Sequence, residues 1–380
     1  MKIAVPKERA PGERRVALVP EIVGKLVKAG ANVVVERDAG ARAGYLDAAY
    51  EAAGASIAPD ARAAYADAQI VVRVGKPSDD ELDGIARGTV LIGFLAPLGD
   101  PRSVERYAER GITALSMDAI PRTTKAQAMD ALSSQANIGG YKAALLAAMH
   151  LPKFFPMLTT AAGTISPAKA LIIGAGVAGL QAIATCRRLG AVVTAYDTRP
   201  VVAEQVKSLG AKFLEIDVGE SGEGQGGYAR ELSAEALAKQ RAGMVKAIGA
   251  SDVVITTAAI PGKRAPILVT AEAVAAMAPG SVIVDLAAET GGNVDGTVAG
   301  EVATSANGVT IVGLLNLAST LAFDASRLYA RNVQALLDYI ITDGALALDP
   351  ADEIVAGTTI TRDGVVVHEP TRAALTGGAA

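Results

Sequence analysis

Tryptophan is absent from this 380-residue chain, and all aromatic residues together make up only 4% of it. A surface that stacks nucleobases needs several aromatic faces, so no such platform is expected. The single cysteine, Cys186, cannot close an intramolecular disulfide. It falls inside an apolar helical pattern and reads as a small core residue. Histidine occurs only at His150 and His368. With one cysteine, no His-x-x-His spacing and no carboxylates paired around an apolar turn, no metal centre is expected. A G-x-S-x-G nucleophile elbow is missing too. Charge is nearly balanced, 36 Lys and Arg against 40 Asp and Glu for a net −4, and basic residues form no run. Nucleic acid and anionic membranes therefore have no electrostatic footprint here. The uncharged stretch Ala170 to Cys186 carries three glycines and falls short of the ~20 apolar residues of a membrane span. The chain opens directly into a strand pattern, Lys2-Ile3-Ala4-Val5, so a secretory leader is not expected. These absences together predict a soluble, cytoplasmic protein.

What is present centres on Ala168 to Thr198. A buried-strand run, Ala170 to Ile173, enters the glycine turn Gly174-Ala175-Gly176-Val177-Ala178-Gly179. An apolar helix follows to Leu189, closed by Gly190, and a second strand, Val192 to Tyr196, ends on Asp197. Strand, turn, helix, strand and a late acidic residue form the context in which G-x-G-x-x-G binds a dinucleotide. Gly174 permits the tight turn, Gly176 lets the backbone approach a pyrophosphate, and Gly179 lets helix and strand pack closely. The helix N-terminus offers unpaired N–H donors and partial positive charge to the phosphates. Asp197 can accept hydrogen bonds from the adenosine ribose hydroxyls and repels a 2′-phosphate, which favours NAD(H) over NADP(H). The plainer alternative is a glycine-rich turn in some other α/β fold.

At 380 residues two domains are expected. Residues 1–133 alternate strand patterns (Ile3–Val5, Val33–Glu36, Ile70–Val72, Thr89–Ile92, Thr113–Leu115) with Ala-rich helical ones such as Glu21–Lys28 and Pro101–Arg110. That alternation predicts a parallel sheet covered on both faces. A second domain, 134–320, holds the nucleotide unit and further strands at Val253–Thr256, Val282–Asp285 and Thr310–Val312. The fold class is α/β, two Rossmann-like doubly wound domains, with the G-x-G-x-x-G in the second. A long amphipathic helix over 321–341 returns the chain to the first domain. A hairpin, Thr358–Thr361 with Val365–His368, turns at Asp363-Gly364, and from Pro370 onward the tail is expected to fray.

Two further stretches stand out. If residues 126–150 are helical, Gln127, Asp130, Ser134, Asn137 and Tyr141 line one face. Their short, mostly uncharged side chains suit a site wall better than a solvated face. Gly219 to Arg230, GESGEGQGGYAR, surrounds Tyr228 with glycines and reads either as a plain flexible connection or as a lid closing on a ligand. The scarcity of histidine also bears on mechanism. Oxidising an alcohol or amine moves a proton as well as a hydride and calls for a general base, most often His. Hydride exchange between two nicotinamides needs only alignment and exclusion of water.

Together these motifs resemble the NAD(H)-binding component, domain I, of proton-translocating nicotinamide nucleotide transhydrogenase. The similarity extends to the bacterial three-subunit form, in which this domain is a separate polypeptide, the first of two alpha subunits. It covers nearly the whole chain, including KIAVPKERAPGERRVALVPE, PRTTKAQAMDALSSQANIGGY, LIIGAGVAGLQAIATCRRLGA, GGYARELSAE and PGSVIVDLAAETGGN. The resemblance implies that NADH bound here passes its hydride to NADP⁺ on a partner subunit, coupled to transmembrane proton movement. It implies partners too: an NADP(H)-binding beta subunit, a membrane-spanning second alpha subunit and a second copy of the chain. The chain would then lie in the cytoplasm, held at the inner membrane through those subunits without inserting itself. Arg122, Asp130 and Ser133 match residues that hold the NADH nicotinamide and ribose, and Gln127 matches one that bridges toward the NADP(H) nicotinamide. Tyr228 matches the tyrosine of the family's mobile loop. The implied cofactor set is Gly174, Gly176, Val177, Ala178, Gly179, Asp197, Thr198, Arg199, Tyr228, Gln240, Thr257, Ala258 and Glu289. Alanine dehydrogenases share the fold and part of the opening. Their catalytic histidine has no counterpart in Gly93 to Leu98, GFLAPL, and their aspartate is Glu289 here, although Lys76 remains. A non-catalytic NAD(H)-binding sensor is the third reading, and it has no use for a nicotinamide-orienting set.

Overall fold

The computed structural model describes residues 1–216, 234–259 and 262–377. The chain divides into two compact units, 1–135 with 318–380, and 136–317. Tyr228 and the whole of Gly219 to Arg230 lie outside the described residues.

In the first unit the strands follow the spatial order Val365–Val366, Thr359–Arg362, Thr113–Ser116, Val90–Phe94, Ile70–Gly75, Lys2–Val5, Asn32–Glu36, Ser56–Ala58. The six strands from Thr113–Ser116 to Ser56–Ala58 run parallel, and the last two in sequence add an antiparallel hairpin at one edge. Ile3–Val5, Ile70–Val72 and Leu91–Ile92 are fully buried. Their unbroken apolar runs mark strands covered on both faces. The strand expected from Thr89 starts instead at Val90 and continues to Phe94, and the short edge strand Ser56–Ala58 carries no run long enough to announce it. Helix Pro101–Glu109 begins where its proline at the first position needs no N–H partner, with Asp100 capping Ser103 N. Helix Ala322–Ile340 buries Tyr329, Val333, Leu336, Leu337 and Ile340 in the core of this unit. The hairpin turns through Asp363 and Gly364, both with positive φ (50° and 82°), as a two-residue loop matched to strand twist.

The tail corrects one expectation. Glu369–Gly377 is a helix, not a frayed end. Thr371 anchors it: the residue is fully buried, its hydroxyl donates to Pro97 O (3.3 Å) and lies 2.7 Å from His368 Nδ1.

In the second unit the order is Lys212–Phe213, Val192–Tyr196, Lys169–Ile173, Val253–Thr256, Val282–Asp285, Thr310–Val312, Val302–Thr304. All pairs are parallel except the last. From Lys169–Ile173 the chain builds outward in one direction through Val192–Tyr196, then returns to build the other way from Val253–Thr256. Strand order therefore reverses beside Ile173, whose register partners are Tyr196 and Thr256. A crevice at the carboxyl ends of strands on such a reversal is where open α/β sheets take ligands. Both units are thus Rossmann-like α/β sheets, and this second one carries the glycine turn.

The polar stripe over 126–150 is not one helical face. Thr124–Met129 is a 3₁₀ segment, Asp130 breaks the helical path at ψ 83°, and the α-helix runs Ala131–His150. The cause is local. The Asp130 carboxylate accepts from Ser133 N (2.9 Å) and Ser133 Oγ (2.6 Å), acting as the cap of the following helix. Gln127 therefore sits on a different segment from Ser134, Asn137 and Tyr141.

Candidate dinucleotide-binding site

The second unit assembles the fingerprint at the strand reversal. Gly174 holds φ +97° and its N–H donates to Tyr196 O at 2.8 Å, so the turn leaves the first strand still bonded to the second. A Cβ at Gly174 would also sit 2.4 Å from Thr257 Oγ1. The constraint at Gly179 is contact: a Cβ there would come 1.8 Å from Gly174 O, so the helix packs directly onto the turn that launches it. Gly176 differs from both. Its φ of −78° is open to any residue, and a Cβ there would meet no protein atom within 4 Å. Nothing in the chain itself requires glycine at 176, which fits a position reserved for the close approach of another group.

Helix Val177–Arg188 starts at Gly176 without a side-chain cap. Its first-turn N–H groups are left for an anion, with the helix dipole behind them. Val177 is 41% exposed and Ala178 half-buried at that end. Gly140 brings another helix against this start, since a Cβ on it would lie 2.0 Å from Ala178 O. Cys186 is fully buried on the same helix, and burial pushes its thiol up to about 12. It is inert packing.

Asp197 ends the second strand and reaches back to the turn. Its Oδ2 accepts from Ala175 N at 2.8 Å, and Oδ1 accepts from Arg199 N at 2.8 Å. The Arg199 guanidinium closes a two-pronged pair, Nε to Oδ1 at 3.0 Å and Nη2 to Oδ2 at 2.9 Å. Burial by itself raises the pKa of such a carboxyl. The Arg199 and Ala175 hydrogen bonds outweigh it and hold Asp197 below the usual carboxylate range. Thr198, next in the chain, is half-buried. Gln240, on helix Ala234–Gly249, donates through Nε2 to the hydroxyl of Tyr196 and so lies beside the same strand end.

The neighbouring strand ends complete the rim. Thr257 N donates to Ile173 O at 2.9 Å and its Oγ1 to Gly174 O at 3.2 Å, pinning the turn from the far side. Ala258 N donates to Asn293 Oδ1 at 3.1 Å, while Asn293 Nδ2 donates to Ala258 O and Pro266 O, both at 2.8 Å. Asn293 is itself held by Asp285, a fully buried carboxylate that accepts from Asn293 N, Ala287 N, Thr256 Oγ1 and Thr297 Oγ1. Sequence reasoning passed over Asp285, Asn293 and Gly140 as structural braces. The D-x-A-x-E-x-G-G run from Asp285 and the Gly139-Gly140 pair inside a helix were the available signals. Glu289 is exposed and takes the backbone N–H of Asn316, a residue in the left-handed region at φ 48°.

Arg122, Gln127, Asp130 and Ser133 belong to the first unit, the glycine turn and Asp197 to the second. Gln127 is exposed and Arg122 lies at the surface of a loop, while Asp130 and Ser133 pair with each other. The residues of the second unit fit a dinucleotide: an uncapped helix start for pyrophosphate, a side with no Cβ at Gly176, and an ionised carboxylate at the strand end. Among the described residues no group of three or more His, Cys, Asp or Glu is placed to hold a metal ion, and no helix is long and apolar enough to cross a membrane.

Comparison with known proteins agrees with this architecture. Residues 4–139 match the alanine dehydrogenase/PNT N-terminal domain, and residues 143–369 match the C-terminal domain of the same family. The first of the two NAD(P) transhydrogenase alpha subunits of Rhodospirillum rubrum is 47% identical over 386 residues, covering 99% of each chain. Its counterpart in Rickettsia prowazekii is 46% identical over 373 residues, covering 97% of this chain and 96% of that one. Among solved structures, the transhydrogenase from Sinorhizobium meliloti superposes with a TM-score of 0.85 at 43% identity, over 97% of this chain and 99% of the other. With both family domains matched in order and this identity sustained end to end, the chain belongs to the alanine dehydrogenase/PNT family, among the NAD(P) transhydrogenase alpha subunits.

Proposed function

We propose that the chain is the NAD(H)-binding subunit of a proton-translocating transhydrogenase, passing hydride from NADH to NADP⁺ held on a partner subunit. The observation that carries this reading is the Gly174–Asp197 unit. Its turn, helix start and carboxylate suit the adenosine and pyrophosphate of NAD(H), in a chain alike over its whole length to transhydrogenase alpha subunits of the same size. In this reading the pyrophosphate rests on the N–H groups at Gly176, Val177 and Ala178. Asp197, with Thr198 and Arg199 beside it, faces the adenosine ribose, and Gln240, Thr257, Ala258 and Glu289 line the rest. Tyr228 closes over the nucleotide. Arg122, Asp130 and Ser133 hold the nicotinamide end, and Gln127 aligns the two reacting rings.

The bound cofactor supplies the hydride, and these residues bind, orient and exclude water. Hydride passage between two nicotinamide carbons releases no proton there, so alignment at a separation of ~3–3.5 Å is what the protein must contribute. The partners are an NADP(H)-binding beta subunit, a membrane-spanning second alpha subunit through which protons move, and a second copy of this chain. The assembly places it at the cytoplasmic face of the inner membrane. Mixing is the test. The chain alone should bind NADH and turn over little, and adding the NADP(H)-binding subunit should start NADH-dependent reduction of an NADP⁺ analogue. Substantial NADH formation from alanine and NAD⁺ by the chain alone would replace this reading with an alanine-type dehydrogenase.

A further inference from the structure

The carboxylate of Asp197 accepts four hydrogen bonds from its own chain: Ala175 N, Arg199 N, and Arg199 Nε and Nη2. An ionised carboxylate offers about four lone-pair sites, so every one is filled. Two of the donors are backbone groups fixed by the turn. The other two sit on a side chain 40% exposed, whereas that of Asp197 is 6% exposed. Ribose hydroxyls donate to the same two oxygens, and they cannot do so while the guanidinium spans both.

We propose that Arg199 is an internal competitor for the adenosine ribose: the hydroxyls reach Asp197 only by displacing its guanidinium, so Arg199 limits how tightly the nucleotide is held. The inference rests on the reading that Asp197 receives the ribose. The exchange is chemically even in count, two hydroxyl donors for two guanidinium N–H donors, and the released arginine regains water at an already open edge. It is uneven in strength, because the guanidinium bonds are charge-assisted and two-pronged and the hydroxyl bonds are neutral donors to the same carboxylate. A part-exposed ion pair of this kind is worth up to ~1 kcal/mol, or about a fivefold change in a dissociation constant. A cofactor that must leave after each hydride transfer is served by such a competitor, since affinity differences within one site fall mostly on the rate of release.

Arg199→Met, which keeps the stem and removes the donors, tests this in the full chain, with Arg199→Lys as a second variant that keeps charge but cannot span both oxygens. Calorimetric titrations use NADH, ADP and 2′,3′-dideoxy-ADP. Arg199→Met should tighten NADH and ADP by about fivefold, leave dideoxy-ADP unchanged because that ligand never contends for Asp197, and Arg199→Lys should fall between. Unchanged or weaker ADP binding in Arg199→Met overturns the competitor role and makes the guanidinium a spectator or a ligand contact. An equal gain for dideoxy-ADP also overturns it, since the effect would then not pass through the hydroxyls. If ADP and dideoxy-ADP still bind Arg199→Met equally, Asp197 is not the ribose acceptor, and the reading beneath the inference fails separately.

Discussion

Two glycines three residues apart should behave in opposite ways when given a methyl group. At Gly179 the added Cβ would lie 1.8 Å from Gly174 O and 2.8 Å from Gly174 C, where ordinary contact begins near 3.4 Å. Both atoms are backbone, so no side chain can swing aside, and the helix must retreat from the turn by over an ångström. Overpacking against main chain falls at the upper end of the ~1–3 kcal/mol range. In a unit of this size that lowers the melting temperature by about 5–10 °C. At Gly176 the backbone is extended and the added Cβ meets nothing within 4 Å, so Gly176→Ala should change stability by less than ~0.5 kcal/mol. Its methyl would instead occupy the side from which a pyrophosphate approaches. Losing hydrogen bonds to a charged group at ~1.5–3 kcal/mol weakens NADH binding by about tenfold or more. Thermal unfolding and fluorescence titration of NADH, run on both variants, separate the two effects. A Gly176→Ala chain that binds NADH like the parent would refute the assignment of the turn, and a Gly179→Ala chain with unchanged melting would refute the packing that positions it.

Gln127→Asn should slow NADH-to-NADP⁺ transfer in the mixed system by about tenfold or more while moving the NADH dissociation constant by less than about twofold, because the residue aligns rings instead of gripping the nucleotide; a loss confined to NADH affinity contradicts that role. Asp197, held below the usual carboxylate range by Arg199 and Ala175, stabilises the fold at neutral pH, and that contribution is lost as pH falls below about 4 through its lowered value. The stability gap between the parent and Asp197→Asn should therefore be constant above about pH 4 and close below it in urea unfolding at stepped pH; a gap that persists undiminished at the acid end removes the ionised pair. Thr371→Val deletes the buried hydroxyl shared by His368 and Pro97 and should cost about 1–2 kcal/mol in the same unfolding assay, whereas an unaffected variant would show that the terminal helix is not anchored there.

What the sequence made legible follows from how local each signal was. The Gly174–Asp197 unit could be read residue by residue, because turn, helix and strand are all specified within one short βαβ stretch and their contacts are mutual. Buried parallel strands such as Ile3–Val5 and Ile70–Val72 announce themselves as apolar runs, and the Asp363-Gly364 turn by its demand for positive φ. The misreading at 126–150 arose because periodicity alone cannot see a cap: Asp130 satisfies Ser133 N and so starts a helix where the spacing suggested one already under way. The tail misled for the opposite reason, since Thr371 becomes an anchor only through Pro97, 274 residues away. Asp285 and Asn293 were invisible as braces on the same ground. Each looks like an ordinary loop polar residue until the strands that flank it are side by side. Arg199 could be named as a neighbour of Asp197, but not as the partner that fills both of its oxygens.

The central claim, that this chain aligns NADH for direct hydride passage to a second nicotinamide, is tested most directly with NADH carrying deuterium at the transferred C4 position. The chain is mixed with the NADP(H)-binding subunit and NADP⁺ in ordinary water, and the NADPH formed is examined by mass spectrometry. The account predicts that the deuterium arrives in NADPH without dilution by solvent. NADPH that forms with solvent hydrogen at that carbon, or no NADPH from a mixture in which both nucleotides are bound, would contradict it.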